Sequence, residues 1–107
     1  MKESNQQRAK KILKPYRKEL DGLDRQILKL LGKRFGIIRK VAKIKTKYDL
    51  PSFLHERVEE VRNSRVALGK KYGIDPQFVH ALYSSIIYQS CAMEDELKTK
   101  LLKKKKK

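Results

Sequence analysis

Arg34 and Lys45 are the two residues whose types and spacing first suggest chemistry. They stand in "KLLGKRFGIIRKVAKIK", residues 29–45, where apolar residues recur at intervals of three and four, the pattern of one helix face. At about 100° per residue, Lys45 lies ~20° round that helix from Arg34 and ~16 Å along it. Leu23, Ile27 and Val41 fall within ~20° of Arg34 on the same count, so both cations point into the apolar stripe. Burying an unpaired cation costs several kcal/mol, so each requires an anion.

The residue types leave two sources for that anion. One is an internal ion-pair network, with one of the cations free to extend to solvent along its apolar stem. The acids Glu19, Asp21 and Asp24 do not share the stripe's centre, and Glu56, Glu59 and Glu60 accompany a second apolar run through Leu54, Val58 and Val61. The other source is a small anionic ligand. Arg17 is ~25 Å along the helix from Arg34 and ~100° round it, so the two cannot grip one small ligand within one helix. Antiparallel pairing with a second copy would bring Arg17 of one chain towards Arg34 and Lys45 of the other, with Arg57 as a fourth cation. Such a group suits a compact polycarboxylate, because guanidinium forks match carboxylates bidentately.

The elements that must position these residues are helices. The first is expected from near residues 8–12 to about Tyr48, with Gly32 and Gly36 as single interruptions. Pro51 ends it, since proline disfavours helix at the preceding residue. Ser52 is the expected N-cap of a second helix with Leu54, Val58, Val61 and Leu68 on its apolar face. Gly73 provides a left-handed cap, and Asp75-Pro76 opens a third helix. Phe78, Val79, Leu82, Tyr83, Ile86, Ser90, Met93 and Leu97 form that helix's inner face. No alternating β pattern occurs, so the expected fold is all-α, with three helices per chain. The long first helix spans about 45–50 Å, more than a compact domain of this size, and the shorter second helix cannot cover its stripe. An intertwined helical homodimer would cover it. A solitary coiled-coil arm competes, but the period drifts at about 3.6 instead of holding heptads.

Composition narrows the partners. The chain has 107 residues and a formal charge of +16. Its last ten residues, "KTKLLKKKKK", hold seven lysines and no acid, which leaves +9 on residues 1–97. Residues 1–97 read as one helical domain and 98–107 as a basic tail, disordered and solvated. A basic nucleic-acid-binding module is a distant alternative resting on charge alone, because the aromatics do not interleave with a basic patch. His55 and His80 lack partners at metal-ligand spacing, so no metal is expected. The single cysteine, Cys91, fits a reducing compartment and a packing role. With no signal-like N-terminus and no apolar run of membrane-spanning length, the expected location is the cytoplasm, with no membrane contact.

The run "YRKELDGLDRQILKLLGKRFGIIRKVAKIK", then Pro51, "HERV", "LGKKYGIDPQFV" and "IIYQS", closely resembles the all-helical class of chorismate mutases over roughly residues 14–97. The resemblance implies an intertwined dimer whose active sites draw on both chains. It implies that Arg17 reaches across the dimer, Arg34 binds a substrate carboxylate, and Lys45 contacts a carboxylate and the breaking ether oxygen. Arg57 and Ser90 match further substrate-binding positions. The implied reaction is the Claisen rearrangement of chorismate to prephenate, which serves phenylalanine and tyrosine synthesis and needs no cofactor.

The sequence departs from the family pattern at two places. Glu94 stands where a glutamine usually sits beside the ether oxygen. A protonated Glu94 donates as glutamine does, which implies faster catalysis below neutral pH. The competing reading turns Glu94 to solvent with Asp95 and Glu96. Val58 replaces a glutamate that accepts the ring hydroxyl, and Leu54 replaces a polar neighbour. The segment "ERV" resembles isochorismate-pyruvate lyases, and the 4-amino-4-deoxychorismate mutases are a third relative. Chorismate mutase remains the leading reading, because all the core cations are present.

Overall fold

The computed structural model of the chain describes residues 2–105. It holds three helices, α1 (Asn5–Lys47), α2 (His55–Lys71) and α3 (Pro76–Lys105), with no strand among the described residues. The contacts divide the chain into two units, one ending at Arg34 and one beginning at Phe35, with α1 contributing to both.

In the first unit, α1 starts at Asn5, earlier than its apolar period indicates. The cause is a capping box, in which the Gln7 amide donates to Ser4 Oγ at 3.2 Å and the Ser4 amide to Gln7 Oε1 at 3.0 Å. The helix absorbs Pro15, which removes one backbone hydrogen bond. Its apolar residues are open to water: Leu20 is 56% exposed, Ile27 54% and Leu30 63%.

The second unit packs on itself. Val58 and Val61 of α2 and Ile87 of α3 form its core, with Tyr83 and Cys91 against them. Gly69 allows α2 and α3 to approach closely, since a Cβ there would sit 2.7 Å from Val79 Cγ2. At the end of α1, Asp49 takes a left-handed φ of 53° and the Leu50 amide reaches back to the Lys45 carbonyl at 2.7 Å. Gly73 does the same for α2 with φ 72°. Asp75 caps α3, its Oδ2 accepting from the Phe78 amide at 3.2 Å, so both of these ends match the sequence reading.

Two expectations are corrected. Ser52 does not cap α2: the N-cap is Leu54, in extended backbone (φ −112°, ψ 103°) with no side-chain cap bond. Residues 98–105 continue α3 where a disordered tail was expected. Lysine is a good helix former, and Glu96 offsets part of the repulsion through Lys100, 3.3 Å away one turn on. Residues 106 and 107 of that tail lie outside the described residues.

Candidate functional site

Lys45, in the last turn of α1, is held from two sides. Its Nζ donates to the Ser52 carbonyl at 2.9 Å and lies 3.0 Å from Glu94 Oε1 on α3. The two side chains are 18% and 5% exposed. Oε1 has no aligned hydrogen bond, so the contact is charge against charge without the directed component. The loop between α1 and α2 explains the geometry. The chain bends at Ser52, after Pro51, and its carbonyl accepts from Lys45 and, at 3.7 Å, from Cys91 Sγ.

This settles which way Glu94 faces. It is buried, while Asp95 and Glu96 are exposed, so the three do not form one solvated acidic cluster. It also supplies Lys45 with an anion from within the chain. Lys45 therefore does not by itself demand a ligand, contrary to the argument from its place in the stripe. The acids on the first two helices do not serve Lys45; its partner, Glu94, is on the third.

Ser90 stands one turn before Glu94 on α3. It is buried, and its Oγ donates to the Ile86 carbonyl at 2.8 Å. Cys91 lies beside the pair, and its thiol is pushed above the ordinary range, first by burial and then by the negative charge of Glu94. Low thiolate content makes it a packing residue.

The other expected residues are distributed differently. Arg57, at the start of α2, is exposed and paired with Glu60 at 2.7 Å one turn on. Val58 does not line an open site: it is committed to the α2–α3 core at 5% exposure, because its place on α2 faces Ile87. Leu54 is half-buried at the N-cap of α2. Arg17 and Arg34 belong to the first unit, Arg17 exposed and Arg34 half-buried. The structure thus brings Lys45, Glu94 and the Ser52 carbonyl together, with Ser90 one turn away on α3. The sequence points to the Ser52 side chain as a cap, whereas in the structure it is the Ser52 carbonyl that accepts from Lys45. No residue type nearby signals the role of that carbonyl.

A half-buried cation with an adjacent carboxylate can bind a carboxylate or ether oxygen and hold charge fixed in a poorly solvated setting. No group of metal-ligating side chains occurs among the described residues, and no helix among them is long and apolar enough to cross a membrane.

An all-helical protein with a cation fixed at a helix junction is the class these observations define. Within it, the chain belongs to the chorismate mutase type II family, whose profile matches residues 16–95. It is 35% identical over 94 residues to a bifunctional chorismate mutase/prephenate dehydratase of Aquifex aeolicus, covering 84% of this chain and 26% of that protein. It is 30% identical over 84 residues to a 4-amino-4-deoxychorismate mutase of Streptomyces pristinaespiralis, covering 78% of this chain and 65% of that one. A protein of the same name from Streptomyces venezuelae is 30% identical over 83 residues, covering 78% of this chain and 81% of its own length. The chain thus spans only 26% of the first relative and 65% of the second. No solved structure matches it.

Proposed function

We propose that the chain is a chorismate mutase, active as a homodimer, with residues 1–97 as the catalytic domain. The observation that carries this reading is Lys45 held almost out of water beside Glu94, inside the segment that matches the family. In the rearrangement the ether C–O bond breaks while a C–C bond forms between the enolpyruvyl methylene and the ring. Atoms balance within one molecule, and no proton transfer, metal or cofactor is required.

The side chains act by placement. Arg34 and Arg17, the latter from the partner, hold the two carboxylates and keep the enolpyruvyl arm folded over the ring, which removes conformational entropy from the barrier. Ser90 and Arg57 support the same carboxylates. Lys45 faces the ether oxygen as it gains negative charge, a contact worth about 3–4 kcal/mol on comparable sites. Glu94 donates to that oxygen when protonated. Glu94→Gln supplies a permanent donor at the same place, so it should keep or raise the rate; a rate lost in Glu94→Gln contradicts this role.

The dimer is supported by the exposed stripe on the first half of α1, which includes Leu20, Leu23 and Ile27. The single cysteine and the absence of an apolar membrane-crossing helix among the described residues favour a cytoplasmic enzyme over a membrane one. Net charge alone does not favour nucleic acid as the partner.

One observation favours a second reading. With Val58 buried in the core and Leu54 apolar, two positions that would supply a polar contact to the ring hydroxyl do not. That relaxes the demand for chorismate and admits 4-amino-4-deoxychorismate or, with pyruvate elimination, isochorismate. Incubating the protein with each compound and separating the products by chromatography decides among them. Prephenate from chorismate, faster than any product from the other two, supports the proposal; faster turnover of either of the others overturns it.

A further inference from the structure

On the first half of α1, Lys10, Lys11, Lys14, Arg17, Lys18 and Asp21 line one shallow surface depression. Counting round the helix, Lys10, Lys14 and Arg17 fall within ~60° of one another, and Lys18 and Lys11 extend the group to ~120°. Five cations therefore share one face with one acid. Lys11 pairs with Glu3, but among the described residues Lys10, Lys14, Arg17 and Lys18 enter no ion pair. Lys10–Lys14 and Lys14–Lys18 are like charges one turn apart, an arrangement that opposes the helix carrying it. An anion arriving at this face relieves that repulsion.

The placement of Arg17 within the group gives the face a direction. Arg17 lies ~60° round α1 from Leu20 of the apolar stripe and Lys10 ~80°, whereas Lys14 is ~120° and Lys18 ~160° from it. A dimer that covers the stripe takes in the edge that carries Arg17, has Lys10 at its border and leaves Lys14 and Lys18 in water. We propose that Lys10, Lys14 and Lys18 form an electrostatic approach ramp, which gathers a small dicarboxylate from solution and delivers it to Arg17. This rests on the reading of Arg17 as a substrate-binding residue of a dimeric chorismate mutase. The lysines are positioning residues: they raise the local concentration of a dianion without touching the reacting atoms. Such an effect is confined to kcat/KM and fades when salt shortens the range of the field.

The test compares kcat/KM for chorismate in three proteins across ionic strength. The first is the unsubstituted chain and the second the Lys10→Gln/Lys14→Gln/Lys18→Gln variant. The third, Lys100→Gln/Lys103→Gln/Lys104→Gln, removes the same charge from α3. Glutamine matches lysine in helix propensity, and circular dichroism checks that the helices survive. At about 10 mM salt the α1 variant is expected to lose about three- to tenfold in kcat/KM with kcat unchanged, and the gap closes near 0.3 M. The α3 variant is expected to lose less than about twofold. Equal losses in both variants would reduce the effect to net charge and overturn the proposal. So would a fall in kcat that salt does not alter, or no loss at all. If the unsubstituted chain converts no chorismate at any salt concentration, the functional reading itself fails, a result distinct from each of these, and the ramp falls with it.

Discussion

Leu23 on the first half of α1 and Val61 on α2 both belong to apolar stripes of helical period, yet Leu23 is 49% exposed and Val61 4%. The α2–α3 pair closes on itself through Val58, Val61 and Ile87, helped by the small Gly69. The first half of α1 has the same kind of face with nothing from its own unit laid over it. A soluble chain rarely leaves a contiguous apolar stripe of this length to water. The α2–α3 pair is packed within one chain, whereas the first half of α1 leaves its stripe open within its own unit, a difference that the proposed dimer would account for. The same division runs through the residues of the proposed site, because Lys45 and Glu94 sit in the closed region and Arg17 on the open one.

The sharpest way to break the comparison is in the closed region. Lys45→Ala is expected to lower kcat/KM by about 10²–10³-fold. It also leaves Glu94 buried without its counter-charge, so the melting temperature falls. The double substitution Lys45→Ala/Glu94→Gln should restore melting but not rate, and restored rate would make the pair structural only. On the open face, Ile27→Glu should weaken self-association at least about 100-fold, because the carboxylate would be buried unpaired. Sedimentation velocity over a concentration series reads this directly. On a face left in water, the same change would alter stability by no more than about 0.5 kcal/mol.

Two glycines sharpen the contrast on a smaller scale. Gly69→Ala drives a Cβ into the branched and rotationally stiff Val79, so it should cost about 1–3 kcal/mol and lower Tm by several degrees. Gly22 has nothing within 4 Å of an added Cβ, so Gly22→Ala should stabilise α1 by up to about 1 kcal/mol. The smallest effect concerns Cys91. Burial and then Glu94 raise its pKa, so at pH 8 the native thiol should alkylate more slowly than the same thiol in denaturant. Equal rates would show that the closed region opens readily.

Much of this division can be read in the residues themselves. Asp75-Pro76 and Gly73 mark helix ends by local rules of capping and left-handed backbone, and local rules are visible in a sequence. The stripe through Leu20, Leu23 and Ile27 is equally local, since its period is that of the helix. The start of α1 was obscured because the capping box Ser4–Gln7 lies in a polar stretch with no apolar period to signal it. The partnership of Lys45 with Glu94 joins the ends of two helices distant in sequence, and no spacing rule reaches that far. The role of the Ser52 carbonyl belongs to the backbone, on which side-chain identity has little to say. The lysines after residue 97 stand out in the sequence as a charge run, while their helix propensity agrees with the continuation of α3 to Lys105.

The central claim is that one active site takes Arg17 from one chain and Lys45 from another. Subunit mixing tests it most directly. Arg17→Ala and Lys45→Ala are purified separately, each nearly inactive on chorismate, then mixed in equal amounts and allowed to exchange. Random pairing makes half of the dimers mixed, and each mixed dimer carries one intact site and one doubly damaged site, so about a quarter of full activity should return. If the site lies within a single chain, every site in the mixture remains damaged, and activity that stays at the level of the separate variants would contradict the account.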